Sequence, residues 1–367
     1  MGRLYFRVLL LIIILVTNSA KCSWAANYYQ SDTRKKYTVT FGDSFHNYLP
    51  KSSIRIGILI KNNSSEIVKV SQEFVVLDTA RIKVWKTIIN MELSPDGSVS
   101  IPLIVPVPKL TGSFTFTLGD GKNKNDSSSP SFSFNVIQPK KSQRLSKILV
   151  HTPDWEEGLN AFLKTWDIKA PTISWGQVLL CGKKSLNRFA DGDQEIIQLI
   201  SRALKREMSV IFLDFGLIED RVDQLTKIVL SFDVAVSLIK AKSPEQSFVL
   251  KSDYKELTYN FEVNRINQWN GFRGVTVPAT DFNFTGKGVK INSLAISGSS
   301  PYRYPVVELI PENEKGKLYL CQIITDGRLD ESVKPPRNRP ELAAYDPMAV
   351  QFLLNLISAS VGDNLLK

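Results

Sequence analysis

A histidine, a tryptophan and three carboxylates crowd into one heptapeptide, His151-Thr152-Pro153-Asp154-Trp155-Glu156-Glu157. Such a set could do acid–base work on a sugar. Two carboxylates about 5 to 10 Å apart across a cleft suffice for glycoside hydrolysis, and an indole beside them can stack on a sugar ring. The segment follows Lys147-Ile148-Leu149-Val150, which reads as a strand, so it falls at a strand's carboxyl end, where open α/β sheets bind ligands. A structural role is the alternative: Asp154 caps a following helix, Glu156 and Glu157 complement its dipole, and Trp155 packs on the preceding linker. Asp214, closing the mostly apolar run from Met208, is a second candidate that could equally be a helix cap or turn residue. Trp269, in Trp269-Asn270-Gly271, is a third, with packing as its alternative.

Nucleophilic and metal chemistry have little to work with. The chain holds three cysteines and two histidines, and neither His46 nor His151 stands at a metal-ligand spacing. No metal and no cofactor is expected. Cys181 and Cys321 end the strand-like runs Val178-Leu179-Leu180-Cys181 and Leu318-Tyr319-Leu320-Cys321. They either pair in an oxidising compartment or remain two buried free thiols, and such apolar runs favour the second.

The start of the chain reads as an address. Arg3 and Arg7 supply positive charge, Val8 to Val16 is an unbroken apolar run, and Ser23-Trp24-Ala25 offers small residues where a signal peptidase reads. Residues 1–25 are therefore expected to be a cleavable secretory signal, and the protein to be exported to the periplasm or the extracellular space. An apolar run this short falls under the roughly 20 residues that cross a bilayer, which argues against an anchor. Lys21 fits a lipoprotein site at Cys22 poorly, and no later segment is long and apolar enough to span a membrane. Loss of the leader takes Arg3, Arg7 and Lys21 from a net charge of +10 and leaves +7. That excess is spread along the chain as a solvated surface carries it, with no nucleic-acid motif beside it. With 367 residues, 43% apolar and 22% charged, the chain is globular material for two domains.

The elements that must position the candidates follow two grammars. From Tyr37 to Ile137, short β-branched and aromatic runs alternate with turn signals such as Asn62-Asn63-Ser64-Ser65 and Asp96-Gly97. Seven strands at this spacing predict an immunoglobulin-like β-sandwich over residues 26–138, with Ile54, Ile56, Ile58 and Ile60 marking one buried face. Asn62, Asn63, Asn125 and Asn283 head glycosylation sequons, which matter only in a eukaryotic secretory pathway. A polar linker over 139–146 leads to a region, 147–362, that reads strand then helix: strands at 147–150, 177–182 and 208–215, helices at 154–166 and 191–207. This predicts a parallel sheet covered on both faces. The stretch 217–310 reads as irregular apart from a helix over Asp220 to Leu230. Asp346-Pro347 then opens a final helix whose apolar face is Ala349, Phe352, Leu353, Leu356 and Ile357.

The order strand, helix, strand, helix, strand resembles the class I glutamine-amidotransferase-like, flavodoxin-type α/β fold. Trp269-Asn270-Gly271, Gly316-Lys317-Leu318-Tyr319-Leu320-Cys321-Gln322 and Tyr345-Asp346-Pro347-Met348-Ala349 are similar to the C-terminal amidotransferase-like domain of some bacterial beta-galactosidase-type glycoside hydrolases. The resemblance implies that an immunoglobulin-like sandwich precedes this domain. It also implies a catalytic glycosidase domain, for which no segment stands between the leader and the sandwich. Glutaminase chemistry would need a thiolate on the turn after the third strand and a later histidine. That turn reads Leu213-Asp214-Phe215-Gly216, and no histidine follows His151. The expectation is an exported accessory protein without catalysis, acting in carbohydrate binding or metabolism or in assembly with a protein partner or a further copy of itself. A glycosidase-type hydrolase at the sheet edge and a structural protein docking through the sandwich are the alternatives.

Overall fold

A computed structural model describes residues 36–42, 46–119, 130–171, 176–214, 234–240, 247–251, 253–261, 265–267, 269–270, 280–297, 303–312, 315–332 and 344–362. The expected leader at 1–25 and the expected helix from Asp220 to Leu230 lie outside the described residues.

Eight strands, one more than expected, build the N-terminal region: β1 (Tyr37–Gly42), β2 (Asn47–Tyr48), β3 (Ser53–Asn62), β4 (Val68–Leu77), β5 (Lys83–Leu93), β6 (Ser98–Pro106), β7 (Gly112–Leu118) and β8 (Ser131–Val136). They form two sheets, β1-β3-β6 and β2-β8-β7-β4-β5. The added strand, β2, is two residues long, too short to show a period, and pairs parallel to β8. Alternation decides the rest: Ile54, Ile56, Ile58 and Ile60 are all at 0% exposure, while Arg55, Gly57, Leu59 and Lys61 between them face outward. Both sheets contribute to one core, in which Phe41 meets Phe116 edge to face at 5.1 Å. Each fully buried isoleucine contributes on the order of 1.5–3 kcal/mol to that core.

The second region is α/β, but its sheet is mixed where a parallel one was expected. Strands β9 (Val150–His151), β10 (Val178–Cys181) and β11 (Ser209–Phe212) lie side by side and parallel, followed in space by β18 (Lys317–Cys321). Antiparallel strands β17 (Arg303–Pro311), β16 (Val289–Ser297), β13 (Ser247–Leu250) and β14 (Arg265–Asn267) extend it to eight. A separate pair, β12 (Val234–Lys240) and β15 (Thr280–Gly286), completes the strands. A parallel bridge from Leu149 to Lys169 adds a rudimentary strand outside β9. Counted along the chain, the parallel half therefore runs second, first, third, fourth, fifth.

Successive side chains of β10 point to opposite faces, so Val178 and Leu180 join one core and Leu179 and Cys181 the other. The first face is covered by α1 (Glu157–Thr165) and α4 (Pro347–Ser360), the second by α2 (Lys183–Ala190) and α3 (Gln194–Lys205). Gly316 lets β18 enter beside α3, since a Cβ there would stand 2.5 Å from the Met208 carbonyl oxygen. The linker expected at 139–146 is not a free tether. Lys140 and Gln351 exchange hydrogen bonds, and Ser142 meets the Ser358 hydroxyl at 3.1 Å, along α4.

Candidate functional site

The carboxyl ends of the parallel strands are where the candidates should converge. At the end of β9, His151 is half-buried, and that burial lowers its pKa against the opposing charge of exposed Asp154. Thr152 donates to the Leu180 carbonyl at 2.7 Å and so ties the segment to β10. Asp154 does not cap the helix: α1 begins at Glu157, and its capping position belongs to Glu156, whose side chain turns elsewhere. Glu156, which the structural alternative expects to complement the dipole of that helix, is 6% exposed. Its Oε1 accepts from the backbone amides of Gly182 at 3.1 Å and Ser185 at 2.5 Å. Those amides form the N-terminus of α2, where an anionic ligand would otherwise bind. A Cβ on Gly182 would stand 2.8 Å from Glu156 Oε2, so glycine admits the carboxylate.

Trp155 packs on α2 and not on the linker. Its indole donates to Ser185 Oγ at 3.0 Å, and the Arg188 guanidinium covers its ring at 3.8 Å. Arg188 is held there by Asp193 at 2.5 Å and Glu195 at 2.7 Å. One face of the indole is therefore covered by this cation.

Asp214 ends β11 in the left-handed region, with φ +57°. Buried to 4% exposure, its carboxylate accepts from the amide and hydroxyl of Thr325 and from the Asp326 amide. Burial pushes its pKa up to about 6, with the Thr325 and Asp326 amides opposing. Asp326 in turn pairs with Lys183 at 3.2 Å. Asp214 is thus the turn residue of the structural alternative, bound to the loop after β18, while Trp155 belongs to α2. Cys181 and Cys321 are free and buried, and burial raises both thiols far above the range in which they ionise near neutrality. Among the described residues, no three His, Cys, Asp or Glu side chains cluster to hold a metal ion, and no helix is long and apolar enough to cross a membrane.

Trp269 is at 0% exposure between Phe248 and Phe352, with the Arg328 guanidinium 5.5 Å from its ring. It cannot meet a ligand. Its neighbour Asn270 does something the sequence reading missed. Asn270 Oδ1 accepts from the amides of His46 at 2.7 Å and Asn47 at 2.9 Å, and its Nδ2 donates back to the Asn47 carbonyl. Asp346 accepts from the Asn270 amide at 2.6 Å, from Asn47 Nδ2 at 3.0 Å and from the first amides of α4. Arg328, also at 0% exposure, donates to the Asn270 carbonyl at 3.1 Å. Two separated motifs, Trp269-Asn270 and Tyr345-Asp346, thus meet on one strand of the sandwich. The receiving pair, His46-Asn47 at the start of β2, is in plain view, but nothing in sequence links it to residues more than 220 positions later.

No family model matches the chain, and no curated protein matches it. Among solved structures, the chain is similar over 29% of its length to a beta-glucosidase from Listeria innocua in complex with glucose, at 13% identity and TM-score 0.23, covering 16% of that enzyme. It is similar over 32% to the C-terminal domain of wzt, at 8% identity and TM-score 0.23, covering 82% of that chain. Over 80% of its length it is similar to trypsin-activated alpha-2-macroglobulin from Escherichia coli, at 7% identity and TM-score 0.25, covering 16% of that protein. The chain spans about a sixth of the first and last of these.

Proposed function

We propose that this chain is an exported, non-catalytic accessory protein, an immunoglobulin-like sandwich joined to a degenerate amidotransferase-like α/β unit of glycoside-hydrolase architecture, working by assembly with a partner. The observation that carries the reading is the internal commitment of the polar groups at the strand ends. Glu156 fills the N-terminus of α2, Asp214 is bound by Thr325 and Asp326, and Arg188 covers Trp155. The strand order of the parallel half supports the fold assignment, because second-first-third-fourth-fifth is the flavodoxin-like order. The position of Asp214 supports it further. Asp214 closes β11 with φ +57°, at the kind of strand end where hydrolytic α/β enzymes carry a nucleophile. Here that position carries a buried carboxylate bound by Thr325 and Asp326.

Turnover measurements test this. Purified mature protein is expected to hydrolyse neither glutamine nor a panel of aryl glycosides faster than a His151→Ala, Asp214→Asn double variant. Hydrolysis that the double variant loses would overturn the proposal in favour of a glycosidase-type site. Mass spectrometry of the exported protein checks the address, with a mature N-terminus expected after Ala25.

A further inference from the structure

Along one side of the sandwich the two sheets stop at β5 and β6, and neither has a second neighbour among the described residues. The inward side chains of these strands, among them Trp85, Ile89 and Met91 on β5, are only partly buried against the core. On interior strands the same positions are sealed: Ile54, Ile56, Phe74 and Phe116 are at 0% exposure. The core is left open along this seam. Where β5 begins and β6 ends, the seam widens into a cavity of about 570 Å³ whose lining includes Val84, Trp85, Val107, Leu110 and Phe114. In its lining Val84 and Leu110 are 45% and 77% exposed. Apolar side chains gathered at one place on a surface mark an interaction site more than scattered ones do.

β5 is 11 residues long, and a free edge of that length offers a row of backbone donors and acceptors to another strand. Its margin is basic. Arg81, Lys86 and Lys109 are exposed; Glu73 is paired with Lys83 at 2.9 Å and Glu92, on β5 itself, with Lys69 at 3.5 Å, so that Asp78, bound to the Ile82 amide, is the carboxylate set against the three cations. A second copy of the chain would bring this same basic margin against itself. An acidic partner meets it with complementary charge.

We infer that β5 is the docking edge for an extended segment of a protein partner, apolar at alternate positions and acidic between them. The segment adds as a further strand and seats an apolar side chain in the cavity beside Trp85 and Leu110. Backbone pairing supplies the affinity of such an addition, and alternate side-chain pockets its selectivity. The inference names a partner class for the assembly role proposed above and rests on it.

A fluorescein-labelled decapeptide of alternating valine and glutamate tests it by anisotropy, with a valine–lysine decapeptide as control. The glutamate peptide is expected to bind, more weakly as salt is raised, and to lose at least about tenfold in affinity on Leu110→Asp. That side chain is exposed, so the variant should keep its fold, as circular dichroism verifies. A Lys86→Glu, Lys109→Glu variant should shift preference to the lysine peptide. Absence of binding, equal binding of both peptides, binding indifferent to Leu110→Asp, or self-association that Leu110→Asp abolishes would each overturn the inference. Hydrolysis of glycosides would defeat the assembly role itself, whereas failure of peptide binding alone defeats only this edge.

Discussion

At the scale of the residue, Asp214 ties function to stability. A carboxylic acid whose pKa is raised to about 6 by burial holds its proton in the folded state over a range where the unfolded chain has released it. Below pH of about 4 both states are protonated and the group contributes nothing. As pH rises from about 4 to about 6, the unfolded state gains from ionisation and the folded state does not, so stability falls; above about 6 the loss is constant, on the order of 3 kcal/mol. Asparagine at 214 has no proton to lose. Urea unfolding of wild type and Asp214→Asn at pH 4 and pH 7 should show wild-type stability falling relative to the variant across that interval. A difference between the two that is flat with pH would refute the assignment. A group raised chiefly by burial, with its oxygens bound to the Thr325 hydroxyl and to backbone amides, is a structural acid.

At the scale of the element, α4 shows how a helix cap becomes an interface. Asp346 satisfies the amides of Met348 and Ala349, as an N-cap should, but the same carboxylate also holds Asn47 and Asn270 and faces buried Arg328. An exposed cap replaced by alanine costs about 1 kcal/mol. Asp346→Ala also takes from buried Arg328 the foremost of the three carboxylates that act on it, Asp214 and Asp326 remaining, and the expected loss rises to about 3–5 kcal/mol, read from the urea midpoint. How much of this was legible beforehand follows from what leaves a local trace. The cap and its proline, the isoleucine alternation of β3 and the apolar stripes of α3 and α4 each have a short period or a fixed offset, and sequence shows them directly. Helix α2 was missed because Lys183-Lys184-Ser185-Leu186 is polar at its start, and it is Glu156 from another element that satisfies its first amides. Strands β12 to β17 were read as irregular for a related reason. In β16 the register shifts between Ser293 and Ala295 and again between Ala295 and Ser297, and such bulges erase the period-two signal. The strand ends were legible to within about three residues, but not what the side chains there bind. Whether a carboxylate there faces a ligand or a backbone amide depends on contacts such as Glu156 to Gly182 that span 26 positions.

At the scale of the whole molecule, the polar junction decides whether the sandwich and the α/β region behave as one body or two. Interfaces between domains of one chain allow relative motion by default. This one is built from buried groups that each serve both sides: Asn270 binds the backbone of His46 and Asn47 on the sandwich and the Tyr345 carbonyl on the other region. Removing a buried partner leaves donors and acceptors unsatisfied at about 1–3 kcal/mol each, so independent motion of the two regions carries that cost several times over. The linker adds to the effect by lying on α4, with Lys140 bonded to Gln351. Calorimetry of the wild type should therefore show a single transition whose van't Hoff and calorimetric enthalpies agree. Asn270→Ala removes the Asn270 side-chain bonds to His46 and Asn47, leaving the Asn47–Asp346 bond and the three hydrophobic cores intact, and should split the profile into two transitions, the sandwich melting apart from the α/β region. Two transitions already present in the wild type would mean that the junction is too weak to couple them. A single coupled body is what an assembly role through β5 requires, because a partner captured at the sandwich edge is then held in fixed orientation to everything the α/β region presents.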